Sequence, residues 1–165
     1  MYLTLSNESN PKLRGKFLRY YLSCKIRTSL RIMVCGSIGY GGVDEIRRMY
    51  SLLHQEGFDI VDHLVHKGMD YSDIQDFRDK KELSQQIVSH DLQFVEKADI
   101  IVVIANRPSY GTAIEVYIAK NSNKKVILLA NDPVPTPWPV NFSDYVVRNE
   151  EDLIMLLEEL RKEID

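Results

Sequence analysis

The sequence predicts a doubly wound α/β fold, with a parallel sheet of about five strands flanked by helices on both faces. Three observations lead to this prediction. From residue 31 onward, short apolar runs alternate with segments whose apolar residues recur at helical spacing. The runs are almost continuously apolar, which is typical of strands that are buried on both faces. Each run is followed by a helical segment, as the βαβ units of a parallel sheet require.

The elements of the first half have clear local signals. The apolar run 31–35 (RIMVC) ends at a glycine and predicts a buried strand. The segment 43–55 then places apolar residues three and four apart, which predicts a helix. The run 58–64 (FDIVDHL) predicts a second strand. The segment 79–98 predicts a long helix with an apolar stripe along one side.

The second half repeats the alternation. The run 99–105 (DIIVVIA) has no polar residue after its first and is the clearest strand. The segment 112–120 is apolar on nearly every side and predicts a buried helix. The runs 124–130 (KKVILLA) and 144–147 (DYVV) predict a fourth strand and a short fifth one. The segment 150–164 predicts a closing amphipathic helix.

These elements together predict one Rossmann- or flavodoxin-like domain over residues 31–165, preceded by a basic N-terminal extension over residues 1–30. In such sheets ligands bind beyond the carboxyl ends of the strands. The prediction therefore brings three loops together at one edge of the sheet, namely 36–42, 63–71 and 106–111.

Composition excludes several classes of protein. The 165 residues are 44% hydrophobic and 27% charged, values that fit one globular domain and argue against disorder. No apolar stretch reaches the roughly eighteen residues that a membrane span needs. The two cysteines, Cys24 and Cys35, have no metal-type spacing, and no secretory segment is evident, so we expect a reducing, cytoplasmic location.

Charge is unevenly distributed along the chain. Residues 1–31 carry a net charge of +6, whereas the remainder carries −9, within a total of −3. The extension could form a basic amphipathic helix that packs on the domain, serves as an arm in a dimer, or contacts polyanions. It could equally have no role in the core. Contact with nucleic acid is the minor alternative, and no membrane partner is expected.

The first candidate site is the glycine-rich turn CGSIGYGG over residues 35–42, between a predicted strand and a predicted helix. Glycines allow a tight turn and a close approach to a ligand, and backbone amides before a helix suit a phosphate. The candidate ligands of a phosphate are Gly36, Ser37, Ile38, Gly41 and Gly42. The spacing matches neither the dinucleotide nor the nucleoside triphosphate motif, and a turn without any ligand is the alternative.

Two acidic residues interrupt apolar helix faces. Asp91 lies four residues from both Ile87 and Val95, which places its carboxylate on the core-facing stripe of its helix. It either lines a cleft or caps a neighbouring loop. Glu115 stands in the most apolar helix of the chain, where an isolated charge is costly. It is either a reactive carboxylate in a cleft or part of a capping box that begins at Thr112, and the two roles can overlap.

The remaining candidates lie in loops. Ser109 and Gly111 in the NRPSYG loop (106–111) stand where a substrate hydroxyl or phosphate can bind, although an ordinary turn is the alternative. His63 and His66, three residues apart, have no third ligand at metal-type spacing, so no metal is expected. His54 and His90 are interpreted as solvent-facing or capping residues.

The order and spacing of these pieces resemble the nucleoside 2-deoxyribosyltransferase superfamily, and most closely its 2'-deoxynucleoside 5'-phosphate N-hydrolases. The resemblance covers about residues 31–130 and depends on four pieces. They are CGSI with GG shortly after, DH at 62–63, HDLQFVEKADIIVV at 90–103, and RPSYGTAIE at 107–115.

The resemblance implies roles for three side chains and an assembly. Glu115 matches the catalytic nucleophile of the family, Asp91 its second carboxylate, and Ser109 a serine that contacts the 5' phosphate. The resemblance also implies a homodimer in which the neighbouring chain completes the pocket. The chain departs from the pattern at Met33, where the family has a tyrosine, and at Gly39, where the hydrolases have an arginine.

The sequence thus predicts hydrolysis of the N-glycosidic bond of (deoxy)nucleoside 5'-monophosphates, giving free base and sugar 5-phosphate through a covalent Glu115 intermediate. Such chemistry passes through an oxocarbenium-like sugar and needs two carboxylic groups but no cofactor or metal. Tyr40 is a further candidate that could replace the hydroxyl missing at Met33. The alternatives are transfer of the sugar between bases and a non-catalytic nucleotide-binding module. A dinucleotide-dependent oxidoreductase is disfavoured because the G-x-G-x-x-G motif is missing.

Overall fold

A five-stranded parallel sheet organises the chain. The structure, a computed structural model, describes residues 29–66 and 68–163, so the predicted extension over residues 1–30 lies almost wholly outside the described residues. The strands are β1 (Arg31–Cys35), β2 (Asp59–Ile60), β3 (Ile100–Ile104), β4 (Lys125–Leu129) and β5 (Tyr145–Val147). They pair in the order β2-β1-β3-β4-β5, every pair parallel, which confirms the predicted doubly wound α/β fold.

Five α-helices connect or follow these strands. They are α1 (Val43–Gln55), α2 (Lys81–Lys97), α3 (Tyr110–Asn121), α4 (Pro137–Phe142) and α5 (Glu150–Lys162), and a π-helical turn (Ile38–Gly42) precedes α1. The bounds of α1 agree with the sequence prediction, those of α2 and α3 differ from it by one to two residues at each end, and α5 begins at the predicted residue and ends two residues earlier. The short helix α4 was not predicted, because its PWPVNF sequence is too short to show a helical period.

The helices cover the sheet in two layers because parallel crossovers are right-handed. The chain moves in one direction from β1 to β2 and in the opposite direction from β2 through β5. Consequently α1 and α5 pack on one face of the sheet, where Ile46 and Leu157 are buried against the strands. Helices α2 and α3 pack on the other face, where Phe94 and Val116 are buried. The direction reverses between β1 and β3, which is where such sheets bind ligands.

Strand β2 is shorter than the predicted 58–64, and the reason lies in Tyr50. The Val61 amide still donates to the Ile32 carbonyl (2.8 Å), but the Val34 amide donates to the hydroxyl of Tyr50 (3.1 Å) and not to a carbonyl of β2. The hydroxyl lies 3.1 Å from the Val61 carbonyl oxygen and 2.9 Å from Nδ1 of His63. The buried Tyr50 hydroxyl thus satisfies the backbone groups of Val34 and Val61 where β1 and β2 stop pairing with each other.

Candidate active site

Two carboxylic acids converge from neighbouring helices on the α2/α3 face of the sheet. Asp91 lies on the buried side of α2, only 7% exposed, which confirms the position predicted from its spacing. Glu115 lies on the buried side of α3 and is 9% exposed. Right-handed crossovers place both helices on the same face of the sheet. The negative charge of Asp91 repels that of Glu115.

Both acids have a pKa far above their ordinary range. Burial, then repulsion by Asp91, raise the pKa of Glu115 from 4.5 to about 7. Burial raises the pKa of Asp91 from 3.8 to about 7. Its Oδ1 atom has no hydrogen-bond partner among the described residues, so this oxygen does not cap a loop. Near neutral pH the pair is therefore poised between charge states, as acid–base catalysis requires.

Helix α3 begins earlier than predicted, and this changes the interpretation of Glu115. The N-cap is Ser109, whose Oγ accepts a hydrogen bond from the Thr112 amide (3.4 Å). The alternative interpretation, a capping box that begins at Thr112, is therefore wrong. Glu115 is the sixth residue of the helix and lies beyond the reach of the cap amide. Burial of Glu115 consequently has no explanation in the capping of its own helix.

Cys35, at the carboxyl end of β1, is a polar partner of Glu115. Its thiol is fully buried and forms a side-chain hydrogen bond with Glu115. Burial, followed by the charge of Glu115, raises the pKa of the thiol well above its usual value, so the thiol stays protonated and donates. The same hydrogen bond lowers the pKa of Glu115 and partly offsets the effect of burial. The sequence analysis missed this contact, since nothing in local spacing relates residues 35 and 115.

Tyr71 is a second residue that the sequence analysis missed. It comes from the loop after β2, lines the cavity described below, and lies beside Gly39. Burial, then the charges of Glu115 and Asp91, raise the pKa of its phenol to about 12. The phenol therefore remains a hydrogen-bond donor close to both acids. The predicted loop 63–71 included this residue, but no motif distinguished it.

The glycine-rich turn after β1 is tight, as its glycines predict. A Cβ on Gly42 would overlap with the carbonyl oxygen of Ser37, and Gly41 has a φ of +80°, so both positions require glycine. Ser37 is 5% exposed, and its hydroxyl has no hydrogen-bond partner among the described residues. The side chain of Ile38 is buried in the core, so Ile38 can offer a ligand only its backbone. The side chain of the candidate Tyr40 lies outside the described part.

The loop before α3 faces this turn across the β1/β3 boundary. The Asn106 amide nitrogen donates to a Glu45 carboxylate oxygen (2.6 Å), which joins this loop to the start of α1. A guanidinium nitrogen of Arg107 is 3.2 Å from the point that a Cβ on Gly41 would occupy. Gly111 is exposed in the first turn of α3. The structure thus brings together two of the three loops expected at this edge, and Tyr71 brings the third.

A large cavity of about 1190 Å³ opens between these loops and helices α2, α3 and α4. Its lining includes Ser37, Arg107, Ser109 and Thr112 at its polar part and the aromatic side chains of Tyr71, Phe77, Tyr117, Trp138 and Phe142 elsewhere. Asp91 and Glu115 are not among the lining residues. They lie within one helical turn of residues that are, namely Ile87 on α2 and Thr112 on α3. The two acids thus belong to helices that form the cavity, although their own side chains are not part of its lining.

His63 lies in the core and not in the lining of the cavity. Burial lowers the pKa of its imidazole to about 4, so the ring is neutral at physiological pH. The Nε2–H group of His90 donates to the His63 carbonyl oxygen (2.8 Å), which ties the residue before Asp91 to the segment after β2. The histidines thus position α2. Among the described residues, no group of three or more His, Cys, Asp or Glu side chains could hold a metal ion.

No described helix has both the length and the apolar character needed to cross a membrane.

The chain matches no curated protein significantly. It does match the model of a family described as nucleoside 2-deoxyribosyltransferase, over residues 35–157.

Solved structures of low sequence identity share the fold. One is a conserved protein from Enterococcus faecalis V583, with 14% identity and a TM-score of 0.57 over 79% of this chain and 98% of that chain. Another is a 2-deoxyribosyltransferase from Bacillus psychrosaccharolyticus, with 15% identity and a TM-score of 0.58 over 75% of this chain and 90% of that chain. A CMP N-glycosidase from Clostridium botulinum aligns with 17% identity and a TM-score of 0.48, over 79% and 98% of the two chains.

Proposed function

The chain belongs to the nucleoside 2-deoxyribosyltransferase family, and from that premise we propose that it hydrolyses the N-glycosidic bond of (deoxy)nucleoside 5'-monophosphates. The products are a free base and a sugar 5-phosphate. One observation carries the proposal: two buried carboxylic acids with a pKa of about 7 repel each other, and each lies on a helix that lines a large cavity. Retaining glycosidases use such a pair, one member as nucleophile and the other as acid and base.

In the first step, an oxygen of ionised Glu115 attacks the anomeric carbon of the sugar. The bond from that carbon to the base breaks, its electron pair moves to the base nitrogen, and Asp91 donates a proton there. This step needs one proton on the pair, with Asp91 protonated and Glu115 ionised. Repulsion between the two acids favours a single shared proton near pH 7. The thiol of Cys35 is a donor that stabilises ionised Glu115.

In the second step, ionised Asp91 takes a proton from water, and the resulting hydroxide attacks the anomeric carbon. The ester bond between the sugar and Glu115 breaks, the carboxylate leaves, and Asp91 is again protonated. Both residues return to their starting states, so no cofactor or metal enters the reaction.

The glycine-rich turn and the start of α3 are proposed to hold the 5' phosphate. The proposed contacts are the amides or hydroxyls of Gly36, Ser37, Ile38, Gly41, Gly42, Ser109 and Gly111. The support is an orphaned, buried hydroxyl on Ser37, next to a turn whose glycines admit close approach. The amides at the start of α3 add the favourable end of a helix dipole.

Transfer of the sugar to a second base is the second candidate. The similar protein from Bacillus psychrosaccharolyticus is a 2-deoxyribosyltransferase. The cavity, at about 1190 Å³, exceeds the range of about 300–1,000 Å³ that is usual for ligand pockets, so it has room for an entering base. A non-catalytic nucleotide-binding module is a third candidate, which the departures at Met33 and Gly39 favour.

Incubation with each nucleoside and deoxynucleoside 5'-monophosphate, followed by chromatography of the free base, tests the proposal. We expect release by the wild-type protein and none by the Glu115→Gln variant. Adding a free acceptor base distinguishes the candidates, since a transferase forms a new nucleotide and a hydrolase does not. Base release that persists in Glu115→Gln contradicts the proposed nucleophile. A melting temperature raised by nucleotides without turnover supports the binding module.

We also propose that the protein is a cytoplasmic homodimer that associates through the helices around the cavity. The exposed apolar side chains there are Val88, Tyr110, Ile114, Tyr117 and Trp138, with Tyr110 94% exposed. Clustered apolar side chains on a surface are typical of an interface. Light scattering coupled to size-exclusion chromatography measures the mass, and a monomer at micromolar concentration contradicts this assembly.

A further inference from the structure

We propose that Arg107 is the side chain that recognises the substrate phosphate, and that it thereby selects nucleotides over nucleosides. The inference deepens the proposed function and rests on it. It assigns to one side chain of the 106–111 loop the charge that the glycine-rich turn itself lacks, because residues 36–42 include neither lysine nor arginine.

Arg107 is the only charged residue among the described residues that line the cavity. Its guanidinium extends from the loop before α3 to the opposite loop. There, a terminal nitrogen is 3.2 Å from the point that a Cβ on Gly41 would occupy. An arginine beside a glycine-rich backbone, at the carboxyl edge of a parallel sheet, presents donors in a fork that fits phosphate oxygens. The glycine is required here by its φ of +80°.

Two orphaned hydroxyls provide independent evidence of a ligand at this place. Ser37 Oγ and Thr112 Oγ1 are buried and have no hydrogen-bond partner among the described residues, although buried polar atoms are almost always paired. Both residues line the same cavity as Arg107, and Ser37 also shares with Arg107 a small crevice between the two loops. Two buried hydroxyls and one guanidinium on a shared wall fit an anion with several acceptor oxygens.

The neighbouring charges explain why a cation is needed. Glu45, which lines the crevice, accepts a hydrogen bond from Asn106 and adds negative charge at the rim. Asp91 and Glu115 add a further charge behind the cavity wall near neutral pH. A phosphate monoester entering this surrounding meets repulsion that backbone amides alone offset only in part. Arg107 reduces that repulsion, whereas an uncharged nucleoside has no need of it.

Binding of 2-deoxyribose 5-phosphate, measured by calorimetry, tests the inference in the full-length protein. The matched control is Arg148→Gln, because Arg148 is exposed and does not line the cavity. We expect Arg107→Gln to raise the Kd about 10- to 100-fold, as the loss of a charge-assisted hydrogen bond does. We expect Arg107→Lys to lose less affinity, and Arg148→Gln to match the wild type. Retention of the charge in Arg107→Lys keeps the test informative if Arg107→Gln does not fold.

Affinity for an unphosphorylated deoxynucleoside separates phosphate recognition from general damage, and we expect it to be the same in wild type and Arg107→Gln. Equal binding of the sugar phosphate by these two proteins, or no binding by the wild type, overturns the inference. Failure of the proposed function looks different: the wild type then binds the sugar phosphate, with Arg107 required, but releases no base from any nucleotide. Where turnover occurs, Arg107→Gln should raise KM for the monophosphate about 10- to 100-fold with little change in kcat.

Discussion

Replacing Glu115 by glutamine should stabilise the protein at alkaline pH and leave it unchanged at acid pH. The pKa of Glu115 is about 7 in the folded protein, against an ordinary value of 4.5. Between these two values the unfolded chain releases the proton while the folded protein retains it. The unfolded state therefore binds fewer protons, so the free energy of unfolding falls as pH rises through this window and is constant above it.

The size of the effect follows from the same interval. The interval between 4.5 and about 7 corresponds to about 3 kcal/mol of unfolding free energy at pH 9, since each pKa unit is worth about 1.4 kcal/mol. Glutamine has the same shape without the charge and escapes this penalty. For a chain of this length about 3 kcal/mol raises the melting temperature by about 6–12 °C. Below pH 4 both proteins carry an uncharged side chain at this position, and the difference vanishes.

Calorimetric melts of both proteins at pH values from 4 to 9 measure this difference. Glu159→Gln is the control, because Glu159 is exposed on α5, and its melting curves should follow those of the wild type at every pH. If the melting temperatures of Glu115→Gln and wild type differ by the same amount at pH 4 and pH 9, the carboxylate carries no burial penalty and the argument fails. The same variant should release no base. Glu115 would then reduce stability at alkaline pH while being needed for activity, which is the trade-off expected of a buried reactive acid.

Three further predictions concern the same site. Asp91→Asn should lower kcat/KM about 10²- to 10⁴-fold and remove the alkaline limb of its pH profile, because residue 91 can then no longer donate a proton to the leaving base. A pH profile of kcat/KM equal to that of the wild type contradicts this prediction. Cys35→Ala should move the acid limb to higher pH, because the thiol hydrogen bond lowers the pKa of Glu115; an unmoved or lower limb contradicts this. Gly42→Ala should lower the free energy of unfolding by about 1–3 kcal/mol, because its Cβ would overlap with the carbonyl oxygen of Ser37. Denaturant titration measures this, and a midpoint equal to that of the wild type would show that the turn accommodates the methyl group without cost.

The secondary structure was largely predictable because its signals are local. Strands β1, β3 and β4 are apolar runs that a two-sided parallel sheet requires, and α1 follows its apolar spacing over its whole length. The burial of Asp91 also followed from spacing, because a helix places residues four apart on one side. Strand β2 was predicted too long, since its pairing with β1 stops where the Val34 amide donates to the buried hydroxyl of Tyr50, a contact that local spacing does not show.

The start of α3 shows where local rules are ambiguous. Both Ser109 and Thr112 are good N-cap residues, and Glu115 suits a capping box with the latter. The structure chooses Ser109, and this choice turns Glu115 from a capping residue into a buried acid in the second turn of its helix. Serine ranks above threonine as an N-cap residue, and the observed cap follows that preference.

The sequence by itself determined the alternation of strands and helices, the glycine-rich turn and the two acids on apolar helix faces, because each depends on residues a few positions apart. Only the tertiary structure decided which groups interact: the thiol of Cys35 with Glu115, the charges of both acids with the phenol of Tyr71, and Arg107 with the turn at Gly41. These contacts join residues far apart in the chain. Their physical cause is the right-handed crossover, which places α2 and α3 on one face and gathers the loops where the strand order reverses.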